Sequence, residues 1–160
     1  MMNWSAKWIT PACDMGSQAP CFAKAFRADK PVASAVLRMT AQGVYDAAIN
    51  GKPVTDTVLN PGWTTYQKRL QVQTWDVTDL LSAENELTVT VGKGWYRSPL
   101  IRHWANTIQT EQMKLPAAVT AELTLVYADG TQETICTDES WLCAPSPLTD
   151  NDLQYGERYD

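Results

Sequence analysis

The stretch Val44-Tyr45-Asp46-Ala47-Ala48-Ile49-Asn50-Gly51-Lys52-Pro53-Val54 decides the reading of the fold. Residues 44–49 suit a strand, Asn50-Gly51 supplies two residues that tolerate positive φ, and Lys52-Pro53-Val54 turns back, which together spell a β-hairpin tip. Upstream, residues 32–39 place Ala35, Leu37 and Met39 on one side and Ser34 and Arg38 on the other, the alternation of a half-buried antiparallel strand. Downstream, residues 69–75 alternate as well, and Asp76 is placed to cap a single helical turn over 77–81 by accepting a bond from an orphan backbone N–H. Alternation returns at 86–91, at 121–127 and, after the turn residues Asp129-Gly130, at 132–135. With 22–27 and 141–143 the count reaches about eight strands, the size of a jelly-roll-like double sheet. Sustained helical periodicity is absent.

The chain has 160 residues, 44% of them hydrophobic, enough for one core and short of two. One β-sandwich domain over 1–160 is therefore expected. The net charge of −5 is spread without runs of one sign, so the basic surface that attracts nucleic acid is missing. No apolar stretch approaches the ~20 residues of a membrane span, and the opening residues have neither the basic start nor the apolar core of a signal peptide. These features predict no nucleic-acid or membrane partner and a cytoplasmic location.

Cys13 and Cys21 lie eight apart and Cys136 and Cys143 seven apart, spacings that do not suit a zinc knuckle. Reduced, mostly buried thiols are expected in a cytoplasmic protein. Asp150-Asn151-Asp152 is oxygen-rich but lacks the glycine and closing glutamate of an EF-hand loop, and reads as a generic turn. The lone histidine, His103, has no partner for a catalytic triad. Gly92-Lys93-Gly94 lacks the spacing of a phosphate loop and reads as a strand end. Trp63, Trp75 and Trp141, at strand-like positions, are expected in the core. The one long aperiodic segment, 96–116, holds Arg97, Arg102, His103, Trp104 and Asn106; such a loop is functional or packs against another part of a larger protein.

Several blocks in fixed order carry a resemblance: Asn50-Gly51-Lys52, Pro61-Gly62-Trp63-Thr64 with Tyr66, Gln73-Thr74-Trp75-Asp76-Val77-Thr78, Gly94-Trp95-Tyr96, Thr137-Asp138-Glu139-Ser140-Trp141 and Tyr155-Gly156-Glu157-Arg158-Tyr159-Asp160. Together they resemble the N-terminal β-domain of bacterial α-L-rhamnosidases, over nearly the whole chain from Trp8-Ile9 to Asp160. The pattern departs after Arg97, where Ser98-Pro99 stands in place of the usual glycine.

The resemblance implies an all-β fold, a jelly-roll-like antiparallel β-sandwich that is galactose-binding-domain-like. It implies an N-terminal fragment of a larger inverting glycoside hydrolase, with the paired carboxyl groups ~6.5–9.5 Å apart carried by a downstream (α/α)-barrel. No catalytic residue and no metal ligand is then expected in this chain. The domain would take part in recognising or positioning an L-rhamnose-containing glycoside, or would dock on the downstream catalytic domain and bind no sugar. Some related modules bind rhamnose with the help of calcium, but no cofactor site is recognisable here. Trp95, Tyr96, Arg97, Trp104 and Asn106 combine aromatic faces with planar hydrogen-bonding groups and are the candidate carbohydrate-binding residues. The same mixture suits an interface with the catalytic domain.

Overall fold

The computed structural model describes residues 4–98 and 114–160. In chain order the strands are β1 (Pro20–Arg27), β2 (Val32–Gln42), β3 (Val44–Ile49), β4 (Lys52–Pro53), β5 (Gln73–Asp76), β6 (Glu84–Gly92), β7 (Ala118–Tyr127), β8 (Gln132–Cys136), β9 (Leu142–Pro145), β10 (Leu148–Asp152) and β11 (Gly156–Tyr159). One helical turn, α1 (Gly94–Arg97), follows β6, and a 3₁₀ turn occupies Thr78–Leu80. Five strands form one sheet in the order β4-β3-β6-β1-β9, four form a second in the order β5-β2-β7-β8, and β10 pairs with β11. The pairings are antiparallel.

The two larger sheets face each other across one apolar core, as in a β-sandwich. Ala35, Leu37 and Met39 of β2, all fully buried, sit inside as their alternation predicts. They meet Tyr45 and Ile49 of β3, Leu87, Val89 and Val91 of β6, and Leu123 and Leu125 of β7 in the same cluster. Asp76 accepts from the Thr78 backbone N–H at 3.0 Å and the Thr78 hydroxyl at 2.7 Å, starting the 3₁₀ turn. Asn50, at φ 55, and Gly51, at φ 74, form the hairpin tip. Asn50 does more than turn the chain: its amide donates to the Leu80 carbonyl and to Asn85, and its oxygen accepts from the Glu86 N–H.

Four expectations are corrected. The strand foreseen over 69–75 shortens to Gln73–Asp76, because β2 offers partners only from Val36 to Met39. Asp150-Asn151-Asp152 lies on strand β10 rather than in a turn, and the hairpin it forms with β11, together with the two-residue β4, lifts the strand count among the described residues to eleven. All four thiols are free, yet none is buried: Cys13 is exposed and the other three are half-buried. Cys136 ends strand β8 at the edge of one sheet, and Cys143 lies on the edge strand β9 of the other. Finally, Trp141 is in the core and Trp75 packs against it, whereas Trp63 is 61% exposed.

Candidate functional site

Strand β6 ends at Gly92, and the backbone then makes the turn Gly94–Arg97. Gly94 has φ +49, and a Cβ there would stand 2.3 Å from Val44 Cγ2 and 2.9 Å from Val44 N, so only glycine lets this turn lie against the start of β3. From β10, Asn151 accepts from the Lys93 N–H, Asp150 forms an ion pair with the Lys93 ammonium, and Asp152 accepts from the Ser98 hydroxyl at 3.0 Å. The oxygen-rich run thus serves as a tie that holds the turn. Its partner Lys93 lowers the Asp150 pKa.

The turn sends its three candidate side chains to different places. Trp95 stacks on Trp63 with ring centroids 6.4 Å apart and planes 5° from parallel, an offset arrangement favourable for two indoles. Tyr96 is buried, 4% exposed, and meets Tyr66 edge to face at 5.1 Å. Burial raises the pKa of Tyr96 and pushes that of Tyr66 up to about 12. Arg97 lines a cavity of about 410 Å³ with Cys13, Asp14 and Lys114, and its Nε is buried without a hydrogen-bond partner among the described residues. Burial lowers its pKa while Asp14 opposes the shift. Trp104 and Asn106 lie outside the described residues, as do Arg102 and His103.

Trp63 belongs to the connection between β4 and β5, and this connection is built rather than loose. Tyr45 N–H donates to the Asn60 carbonyl at 2.8 Å, and Val54 N–H to the Ala47 carbonyl at 3.0 Å, pinning both ends of 54–60 along β3. Further on, Gln73 Nε2 donates to the Pro61 carbonyl at 3.1 Å. The Asn60–Pro61 bond is cis. Besides Trp63, this connection exposes Val58, Leu59 and Val72. Pattern reading assigned Trp63 to the core because tryptophan is usually buried; the preceding Pro61-Gly62, a turn signal, was the local hint that it stands outside a strand.

Beside this connection lies a second cavity, of about 370 Å³, over the outward face of β3 and β6. Asp46 is the register partner of Thr90, and Ala48 of Thr88, so these four side chains share one face of the sheet. Neither Asp46 nor the wall residue Asp56 stood out in the sequence, because solvated carboxylates are ordinary in an acidic chain. Among the described residues no group of three His, Cys, Asp or Glu side chains could hold a metal ion.

A family model described as Alpha-L-rhamnosidase N-terminal domain matches residues 30–160. The chain is 35% identical to an alpha-L-rhamnosidase of Formosa agariphila over 173 aligned positions, covering 99% of this chain and 18% of that protein. Its structure superposes on the alpha-L-rhamnosidase of Streptomyces avermitilis complexed with L-rhamnose, with a TM-score of 0.80 and 38% identity over 90% of this chain and 14% of that one. It also superposes on an alpha-L-rhamnosidase from Dictyoglumus thermophilum, with a TM-score of 0.83 and 29% identity over 98% of this chain and 18% of that one. The chain therefore spans less than a fifth of each of these relatives. By the match over residues 30–160, the chain belongs to the α-L-rhamnosidase N-terminal domain family.

Proposed function

We propose that this chain is one non-catalytic β-sandwich domain of a longer α-L-rhamnosidase and recognises or positions the terminal α-L-rhamnose of a glycoside for a catalytic domain elsewhere in the same polypeptide. The observation that carries this reading is Trp63, 61% exposed and backed by Trp95 in a parallel stack. Exposing a large indole is unfavourable in water unless something covers it. A pyranose does so well, because its C–H face is apolar and its rim of hydroxyls remains free to hydrogen-bond. The stack on Trp95 holds the ring in place, so little side-chain entropy remains to be lost on binding.

Titration of the 160-residue chain with L-rhamnose, followed by tryptophan fluorescence and calorimetry with and without calcium, tests the reading. Saturable binding that weakens at least about tenfold in Trp63→Ala is the expected result. Absence of any heat or fluorescence change at millimolar sugar would sink it. Turnover of a chromogenic rhamnoside by the chain alone would overturn its non-catalytic part.

One observation favours a second reading, in which the domain docks on an (α/α)-barrel catalytic domain and binds no sugar. Val58, Leu59, Trp63 and Val72 are all exposed along the single connection between β4 and β5, and an exposed apolar group of this kind suits a protein partner. The same titration decides, since a docking surface gives no response to sugar.

A further inference from the structure

We infer that the cavity between the N-terminal segment and the turn after β6 is a binding site for the oxyanion group of a small ligand, a carboxylate, sulfate or phosphate, gripped by Arg97 with Lys114 as the second positive charge. The inference goes beyond sugar recognition and does not depend on it. Arg97 Nε is shut off from solvent and has no hydrogen-bond partner, and Arg97 takes part in no ion pair among the described residues. A guanidinium only donates, so a buried N–H of this group without an acceptor is unfavourable until one arrives. The matching acceptor is an oxyanion, which the planar fork of an arginine binds through two parallel hydrogen bonds.

Charge on the lining favours that occupant. Arg97 and Lys114 stand on it with Asp14 as the one carboxylate among the described lining residues. Asp14 is near enough to raise the Arg97 pKa against the effect of burial, yet its Oδ1 accepts from the Gly16 N–H at 2.9 Å. The guanidinium therefore stays charged and keeps donors for an incoming anion. At about 410 Å³ the cavity lies within the range of small-molecule sites and is larger than a bare oxyanion, so the anion is one part of the ligand. Pro11, Pro20, Pro116 and Ala117 supply an apolar wall for the rest.

The wall is fixed before any ligand enters. Ile9 and Val119 exchange backbone bonds at 3.0 and 3.1 Å, which ties the approach to Pro11 to the start of β7. Further along, Gln18 N–H donates to the Met15 carbonyl at 3.1 Å, Ala19 N–H to the Leu148 carbonyl at 3.0 Å, and Gln18 Nε2 to the Ser146 carbonyl at 2.7 Å. On the opposite side Arg97 N–H donates to the Lys93 carbonyl at 3.1 Å, and Lys93 is itself tied to Asp150 of β10. A site held this way has little left to order on binding.

The test is a titration of the ¹⁵N-labelled 160-residue chain with sodium sulfate and, separately, with sodium acetate, each against sodium chloride at equal ionic strength. The readout is the Arg97 Nε–H resonance and the backbone amides of Asp14, Gly16 and Ala117. Expected are saturable shifts at these positions with at least one oxyanion and none with chloride, affinity at least about tenfold weaker in Arg97→Gln, and roughly two- to fivefold weaker in Lys114→Gln, whose exposed ammonium contributes less. Preference for sulfate marks a tetrahedral oxyanion and preference for acetate a carboxylate, and either supports the site. An unmoved Arg97 Nε–H at saturating salt, the same shifts with chloride, or Arg97→Gln binding like the parent would overturn it. Should Arg97→Gln not fold, the parent resonance and Lys114→Gln decide by themselves, an unweakened Lys114→Gln with a silent Nε–H counting against the site. L-rhamnose carries no charge, so failure here leaves the sugar titration standing.

Discussion

Gly94 shows how one residue can hold a functional turn in place. Its φ of +49 and its contact with Val44 each exclude a side chain; the left-handed conformation costs other residues roughly 1 kcal/mol, and overpacking adds about 1–3 kcal/mol. Gly94→Ala is expected to lower stability by roughly 2–4 kcal/mol, seen as a lower urea midpoint at unchanged slope. Adding Val44→Ala should return part of the loss, because it removes the nearest atom, Val44 Cγ2 at 2.3 Å. A native midpoint in Gly94→Ala would contradict this account. Asn50 was legible as a turn residue, but its bonds to Leu80, Asn85 and Glu86 were not. Those partners lie some thirty residues away in the chain and become neighbours only after β6 pairs with β3. Trp63 was misread for a related reason: composition says that tryptophan is usually buried, whereas its exposure depends on where the connection between β4 and β5 runs.

At the level of elements, the alternating strands were readable because a period of two reports one wet face and one dry face. Strand β7 breaks that pattern, with every residue from Ala118 to Leu123 buried. The cause is the N-terminal segment, which lies across its outward face. Trp4 Nε1 donates to the Thr120 hydroxyl at 2.8 Å, and Ile9 and Val119 exchange backbone bonds at 3.0 and 3.1 Å. Glu122, only 2% exposed, accepts from the Ser5 and Ala6 N–H groups and from Arg38, whose guanidinium lies 5.5 Å from the Trp4 ring. Removing one member of such a buried set strands the others, at a cost of about 3–5 kcal/mol. Glu122→Ala should therefore destabilise by that order and speed hydrogen exchange at the Ser5 and Ala6 amides, while Glu122→Gln, which keeps an acceptor, should lose less. Unchanged exchange at those two amides in Glu122→Ala would refute the clamp. The β10–β11 hairpin was missed in the sequence because its short strands are rich in Asp, Asn and Gly, residues that ordinarily signal turns.

For the whole molecule, the placement of ionisable groups predicts an asymmetric pH response. Burial pushes Tyr45 and Tyr66 from 10.0 to about 12. A folded pKa raised above the unfolded one means that the unfolded chain loses its protons first, so this stability is intact below pH 10.0 and is lost as pH climbs toward 12. On the acid side, hydrogen bonds from Thr78 and Ser140 lower Asp76 and Asp138 from 3.8. Their contribution is present above that value and fades as pH falls below it, but both carboxylates are solvated and screened. Denaturant midpoints measured across pH should fall more steeply on the alkaline limb, and Tyr45→Phe should flatten it. A limb unchanged in Tyr45→Phe would show that the buried phenol is not its source.

The residues by themselves determined the strand faces, the Asn50-Gly51 and Asp129-Gly130 turns, the short turn after Asp76 and membership of a β-sandwich family, because each is written in local backbone preference or in a periodicity of two. Tertiary structure alone decided that Trp63 meets Trp95 in the open, that Tyr96 goes inward, that the N-terminal segment buries Glu122, and that Asp46 and Asp56 border one cavity. Each of these depends on which distant strand supplies the neighbour, and pairing between remote segments is settled by packing the whole core rather than by any one stretch of chain.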